Sequence, residues 1–173
     1  MIHTCTIDTP LGKMRAAAEE GKITGLWFAG QKFFPEAAGD WVEKKDDPAL
    51  KALRSWLKDY FAGKKPPVDL PLAPAGTGFQ QAVWKELRRI PYGKTVSYGG
   101  IAEKLAAKSS GPGGRGAPRA VGQAVGRNPI SLLIPCHRVI GGPDGRNRLT
   151  GYAGGLEKKR ALLELEGSIP LKP

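Results

Sequence analysis

At 173 residues, 40% hydrophobic and 25% charged, the chain has a globular composition able to bury a core, and no apolar run nears the roughly 20 residues of a bilayer span. Two cysteines, and an N-terminus (Met1-Ile2-His3-Thr4-Cys5) with no charged region followed by an apolar one, argue against a secreted disulfide framework and for a reducing, cytoplasmic setting. The formal charge of +11 is uneven: residues 1–73 carry 11 Lys or Arg against 10 Asp or Glu, residues 74–173 carry 16 against 6, and the second half is expected to meet a polyanion.

The first third reads as short strands and turns. Ile2 to Ile7 alternates, Thr9-Pro10-Leu11-Gly12 and Glu20-Gly21-Lys22 are turns, and Ile23 to Phe28 resumes a strand. A helix follows, capped by Asp46 or Asp47, with Pro48 in its first turn and Gly63 after its end. Leu50, Leu53, Leu57 and Tyr60 or Phe61 give it one buried face. The proline-rich crossing from Lys64 to Gly76 carries few helix or strand signals and places a domain boundary near residue 74. Beyond it, Phe79, Ala82, Val83, Leu87 and Ile90 predict an amphipathic helix that Pro91-Tyr92-Gly93 ends. Ser97 can cap a helix running from Tyr98 through Ile101, Ala102 and Leu105, and a Gly-rich loop at 109–116 leads to a short helix from Arg119 to about Gly126. Two short helices joined by a loop in a basic region predict a helix-turn-helix. The last helix, Leu156 to Glu166, stops at Gly167, with Leu156, Leu163 and Ala161 or Leu162 facing inward.

Chemistry concentrates at Ile134-Pro135-Cys136-His137-Arg138-Val139, where a thiol and an imidazole follow the apolar run Ile130, Leu132, Leu133, Ile134. The run predicts a buried strand that delivers a nucleophile to a pocket wall. Only the thiolate of cysteine is strongly nucleophilic, and a nearby His or Arg is expected to draw the thiol pKa toward neutrality. A second feature is the slender helix Arg119-Ala120-Val121-Gly122-Gln123-Ala124-Val125-Gly126. Its small residues suit either close approach to nucleic acid or tight helix packing.

Five runs occur in one order: Val96-Ser97-Tyr98, Arg119-Ala120-Val121-Gly122, Asn128-Pro129, Pro135-Cys136-His137-Arg138-Val139-Ile140 and Gly151-Tyr152-Ala153-Gly154-Gly155. Together they resemble the O6-alkylguanine-DNA alkyltransferases over essentially all of residues 77–173, while residues 1–73 resemble that family's N-terminal domain only in length and strand-then-helix order. The resemblance implies two domains. The first, residues 1–73, is an α/β supporting domain, a small sheet plus a helix of ribonuclease-H-like type. The second, residues 74–173, is mainly helical, with a winged-helix or helix-turn-helix motif for binding DNA and accepting the alkyl group.

The resemblance also implies roles. Cys136 takes the alkyl group of O6-alkylguanine in duplex DNA, once and irreversibly, a suicide reaction that needs no cofactor and no metal. His137 draws the thiol proton through a water, and Glu166 orients His137. Asn128 braces the turn before the active-site strand through side-chain to backbone hydrogen bonds. Tyr98 turns the target phosphate and donates to guanine N3, and Arg119 fills the space left by the flipped base. Ala120, Gly122 and Ala124 let the helix approach DNA. Pro135, Val139, Tyr152 and Ala153 line the base pocket, with the Val139 carbonyl accepting from the exocyclic amine and the Ala153 N–H donating to O6. Arg138 reads as a structural ion-pair partner rather than a catalyst. Monomeric action in the cytoplasm, with damaged double-stranded DNA as the partner, completes the implied picture.

His3 and Cys5 share one strand face, but with two His and two Cys in the whole chain a four-ligand Cys/His zinc site is unavailable, so both read as ordinary strand residues. Two Gly- and Arg-containing segments, 109–116 and 141–148, read as longer than the family pattern. Two rivals remain: a non-catalytic lesion binder, whose kind lacks the acceptor cysteine present here, and a Cys-His hydrolase, which leaves the basic half unexplained.

Overall fold

The computed structural model describes residues 1–35, 40–108, 118–141 and 151–168. The chain divides into two compact units, one of Met1–Ala75 with Pro129–Ser131, the other of Gly76–Asn128 with Leu132–Pro173. The segment 109–116, and residues 142–148 of the segment after the Pro-Cys-His-Arg motif, lie outside the described residues. Among the described residues no helix is long and apolar enough to cross a membrane.

The first unit is α/β. Strands β1 (Ile2–Thr9), β2 (Gly12–Glu19) and β3 (Lys22–Phe28) form an antiparallel meander, and a short strand β4 (Trp41–Glu43) joins β1 in parallel, giving the order β3-β2-β1-β4. Nothing in the sequence patterning announces β4, whose three residues are too few for an alternation to show. Pairing sets Cys5 against Ala16 and Ile7 against Met14, and carries both rows to Leu26 and Phe28, so one face is continuously apolar. Helix α1 (Pro48–Phe61) covers that face with Leu50, Leu53, Leu57 and Tyr60. On the other face Trp27 lies across Gly25, where a Cβ would stand 1.8 Å from the indole, and stacks on Trp41 with ring centroids 6.1 Å apart.

The cap of α1 is Asp47, whose carboxylate accepts from the Ala49 N–H at 2.8 Å and meets His3 Nδ1 at 2.6 Å. Cys5, the other residue of that strand face, lies 3.8 Å from the Arg54 guanidinium of α1. Burial pushes the Asp47 carboxyl up, but the His3 bond and the Leu50 and Ala49 amides outweigh it and hold it below the usual carboxylate range. A depressed acid stabilises the fold above its unfolded pKa and loses that contribution as pH falls through the folded value. Asp47→Ala should therefore cost about 1–2 kcal/mol near neutrality and flatten the acid limb of the stability curve, measured by urea unfolding across pH.

The proline-rich crossing is more ordered than its composition predicts. Ile23 N–H donates to the Pro71 carbonyl at 2.9 Å and Ala73 N–H to the Ile23 carbonyl at 2.8 Å, so Leu72 forms a parallel bridge with β3. Further along the same edge Leu26 N–H donates to Pro129 O at 2.8 Å and Ser131 N–H to Leu26 O at 3.0 Å. The two bridges share the hydrogen-bonding groups of the outer edge of β3.

The second unit is mainly helical, as expected. Helices α2 (Gly78–Leu87), α3 (Tyr98–Lys108) and α4 (Pro118–Gly126) pack on one another, and α5 (Leu156–Leu165) packs on the turn that holds Cys136. Strands β5 (Val96–Ser97) and β6 (Val139–Ile140) form a two-residue parallel pair. Thr77 and Gln80 close a reciprocal capping box at the start of α2. Ser97 caps α3, its hydroxyl accepting from the Gly100 N–H at 2.9 Å.

Three expected core residues lie outside the core. The buried residues of α2 are Val83, Trp84, Glu86 and Leu87, centred on the large indole, which leaves Phe79 40% exposed and Ala82 exposed at its margin. Leu156, the first residue of α5, is 49% exposed; the face turned inward is Lys159, Leu162, Leu163 and, at the C-cap, Glu166.

Candidate active site

The Pro135-Cys136-His137-Arg138 motif is not carried by a strand. Ile130 makes its single bridge, Leu132 adopts a left-handed backbone with φ +71°, and the chain turns into a short 3-10 helix, Cys136–Arg138. A continuous strand is excluded because a leucine with positive φ breaks the pleat, a conformation β-region residues do not share. The turn is held from within. Asn128 Nδ2 donates to the Ile134 carbonyl at 2.7 Å, and Cys136 N–H donates to the same carbonyl at 2.8 Å. Every residue from Ser131 to Gly141 is buried, including Pro135, Cys136, His137 and Val139.

The side chains of the motif diverge to different partners. His137 is fully buried and its Nε2 meets Glu166 Oε2 at 2.7 Å. Arg138 reaches the same carboxylate, Nε to Oε1 at 2.7 Å and Nη2 to Oε2 at 3.1 Å, while Nη1 donates to the Ile90 carbonyl at 2.7 Å and the guanidinium lies 5.6 Å from the Tyr92 ring centre. Arg138 thus has the ion-pair partner expected of a structural residue. Burial pushes Glu166 up, but His137 and Arg138 overcome it and hold the carboxyl at about 2. Burial drives the His137 imidazole below its ordinary value, with Glu166 opposing, so at rest the guanidinium is the permanent charge that keeps Glu166 ionised. A carboxylate on Nε2 fixes the proton there and leaves Nδ1 as the basic nitrogen. Nδ1 is buried and has no hydrogen-bond partner among the described residues.

The thiol departs from expectation. Burial pushes Cys136 above the ordinary cysteine value, opposed by a hydrogen bond from Asn128, by the charge of Lys159 and by the Cys136 and His137 amides. Arg138 does not lower it, because its guanidinium is spent on Glu166, and a neutral imidazole has no charge to lend. The resting cysteine is therefore a protected thiol with donors already aimed at its sulfur.

Lys159 is the residue that the sequence reading missed. It is fully buried on α5, its Nζ donating to the Val139 carbonyl at 2.5 Å and to the Gly151 carbonyl at 3.3 Å, and it lies 6.0 Å from the Tyr98 ring centre. Burial brings its pKa down to about 8, with Cys136 opposing. A signal existed, since Lys159 precedes Leu162, Leu163 and Glu166 by three, four and seven positions, the spacing of one helix face.

Tyr98 stands half-buried at the start of α3 beside Gly122 of α4, where an added Cβ would meet its ring at 3.8 Å, an ordinary contact. Tyr152 and Ala153 are half-buried in the turn before α5, where the Gly155 N–H donates to the Tyr152 carbonyl at 2.9 Å. Arg119 is exposed at the start of α4, in a row with Gln123 and Arg127, while Ala120 and Gly122 are half-buried. Ala124 corrects the expected outer surface. It is 3% exposed and its carbonyl accepts from Trp84 Nε1 at 2.8 Å, so it packs α4 onto α2.

Residues 2–74 match the ribonuclease-like domain, and residues 78–168 the DNA binding domain, of 6-O-methylguanine DNA methyltransferase. The chain is 45% identical over 168 residues, 97% of its length and 94% of the relative's, to the methylated-DNA–protein-cysteine methyltransferase of Mycobacterium tuberculosis strain H37Rv. It is 41% identical to the constitutive enzyme of that name from Bacillus subtilis, covering 96% of each chain. Among solved structures it is similar to Mycobacterium tuberculosis OGT in complex with DNA, with 44% identity, a TM-score of 0.81 and coverage of 96% and 93% of the two chains. An O6-methylguanine DNA methyltransferase from Methanococcus jannaschii gives 30% identity and a TM-score of 0.66, with coverage of 97% and 96%.

Proposed function

Because the chain belongs to the 6-O-methylguanine DNA methyltransferase family, we propose that it repairs DNA by transferring the methyl group of O6-methylguanine in duplex DNA directly and irreversibly to Cys136. The observation that carries this reading is the buried Glu166–His137 pair beside a cysteine whose sulfur is met by Asn128. His137 Nδ1, the nitrogen not taken by Glu166, receives the thiol proton through one bridging water. The thiolate attacks the methyl carbon in line with the C–O6 bond; the S–C bond forms as the C–O bond breaks, and the electron pair stays with the purine. The Tyr98 hydroxyl donates to N3 and helps to offset the charge that develops on the leaving base. Glu166 orients His137 and stabilises its cation, as the carboxylate does in a serine-type triad.

The target atom is inside a base stack, so the nucleotide must be flipped out, with Arg119 filling its place. Arg119, Ala120 and Gly122 form the DNA-facing part of α4, and the excess of basic residues after residue 73 supplies phosphate contacts. Pro135, Val139, Tyr152 and Ala153 line the base pocket. The product is a thioether, whose carbon carries no leaving group that water displaces at neutral pH, so each molecule acts once.

Intact mass spectrometry after incubation with a duplex holding one O6-methylguanine is the test. A 1:1 gain of one methyl, absent in Cys136→Ala, is expected. Lesion binding without an adduct would instead make the protein a recognition module, and repaired DNA with unmodified Cys136 would refute direct transfer.

A further inference from the structure

The turn after α2, Ile90-Pro91-Tyr92-Gly93, closes on the Glu166 end of the site at three points. Arg138 Nη1 donates to the Ile90 carbonyl at 2.7 Å. The Tyr92 hydroxyl donates to the Leu165 carbonyl at 3.3 Å, one residue before Glu166. Gly93, at φ +82°, passes so close that an added Cβ would stand 3.2 Å from the Glu166 carbonyl oxygen. The Tyr92 ring itself lies by the Arg138 guanidinium, 5.6 Å from its centre, within reach of cation–π attraction. The His137 and Glu166 side chains are 0% exposed and that of Arg138 is 11% exposed, so the half-buried Tyr92 ring lies on the one member that water can still touch. A leucine would fill much of that space, but it offers the cation no ring face and the carbonyl no donor.

The effect reaches the imidazole through a shared atom. Glu166 Oε2 is met by Arg138 Nη2 at 3.1 Å and by His137 Nε2 at 2.7 Å, so a guanidinium that shifts disturbs the oxygen that orients His137. A buried ion pair keeps its strength only while its geometry holds and water stays out. The charged groups acting on the imidazole are Glu166, Arg138 and Lys159, and Tyr92 bears on it through the first two. Burial and the Glu166 charge push the Tyr92 phenol above its ordinary value, against Arg138, so it stays a neutral donor near neutral pH.

We propose that Tyr92 is a positioning residue for the alkyl transfer: its ring covers the Arg138 guanidinium, its hydroxyl fixes the end of α5, and together they hold Glu166 against His137. The inference deepens the alkyl-acceptor reading and rests on it for its biological meaning.

The test needs no DNA. Alkylation of Cys136 by iodoacetamide is followed by peptide-resolved mass spectrometry, which separates it from Cys5. Tyr92→Leu should react about tenfold more slowly near neutrality, because His137 is no longer held to take the thiol proton. Tyr92→Phe keeps the ring and loses only the hydroxyl, so its rate should return to within about threefold of wild type. In a Glu166→Gln background Tyr92→Leu should change the rate by less than about twofold, since both substitutions break the same link. Circular dichroism establishes that each chain is folded in the assay, and Tyr92→Met, equally apolar, replaces the leucine variant if that one is not. A folded Tyr92→Leu or Tyr92→Met chain that reacts at the wild-type rate overturns the proposal. An undiminished tenfold effect in the Glu166→Gln background overturns it too; if that background does not fold, the single Tyr92 variants decide. A wild-type chain that shows this pattern but takes no methyl from damaged duplex would refute the repair reading and leave the role of Tyr92 standing.

Discussion

Glu166→Gln should be the most damaging single substitution outside the acceptor cysteine, lowering stability by about 3–5 kcal/mol and alkyl transfer by about 10²-fold or more. The carboxylate is buried, meets His137 on one oxygen and Arg138 on both, and is the only anion in contact with that guanidinium among the described residues. Glutamine keeps the shape and one acceptor oxygen but leaves a buried cation uncompensated, and that uncompensated charge is the source of the large cost. The kinetic loss has a separate origin, because the imidazolium formed during proton transfer loses its counter-charge. Urea unfolding and single-turnover methyl transfer read the two effects independently. The acid limb gives a third check. Glu166 falls from an ordinary 4.5 to about 2 on folding, so its contribution is complete above 4.5 and is lost as pH drops through 2. That window holds on the order of 3 kcal/mol, which the glutamine variant should lack. A stability change below about 1 kcal/mol would mean that solvent reaches the pair.

Trp84→Ala is expected to cost about 3–5 kcal/mol and to weaken binding to duplex DNA. The indole is almost fully buried on α2, lies against Gly76, and donates from Nε1 to the Ala124 carbonyl at 2.8 Å. It is therefore both the largest filler of its region and the pin that orients α4. Trp84→Phe separates the two roles, since it keeps most of the volume and drops the donor; about 1 kcal/mol should follow from the lost bond alone, because the Ala124 carbonyl still accepts from the Arg127 N–H at 3.3 Å. Because α4 presents Arg119, the alanine variant should lose DNA affinity before the α/β unit loses its own fold, seen as binding loss without a matching change in the environment of Trp27 and Trp41. Equal and simultaneous loss of both signals would mean that the units unfold together and that Trp84 holds more than α4.

How far these features could be read without coordinates depends on how local their causes are. Asp47, Pro48 and Gly63 bracket α1 because caps act within one turn, and Ser97 does the same for α3. Cys136 and His137 are adjacent in sequence, so their meeting required no folding argument, and the family resemblance brought Glu166 to them. Lys159 escaped notice because a lysine is nearly always exposed and its two carbonyl partners lie on distant segments. Leu132 escaped because no pattern of residue types marks a left-handed leucine; its neighbours alone fix it. The inward turn of Ala124 is likewise decided by Trp84, forty positions earlier in the chain. The thiol pKa ran opposite to expectation because burial outweighs the donors that meet the sulfur, and adjacency in sequence fixes neither that burial nor where a guanidinium points.

The bridge between Leu26 and Ile130 bears on the order in which the protein can be made. During synthesis from the N-terminus, β1 to β4 and α1 leave the ribosome early, well before residues 129–131, which belong to the same unit. The outer edge of β3 stays partly unpaired until residues 129–131 emerge, after α2, α3 and α4 have already been translated. An unpaired strand edge is a template for pairing with another chain. Nascent chains stalled before residue 129 should for that reason be the aggregation-prone species, and a release point only a few residues later should relieve it.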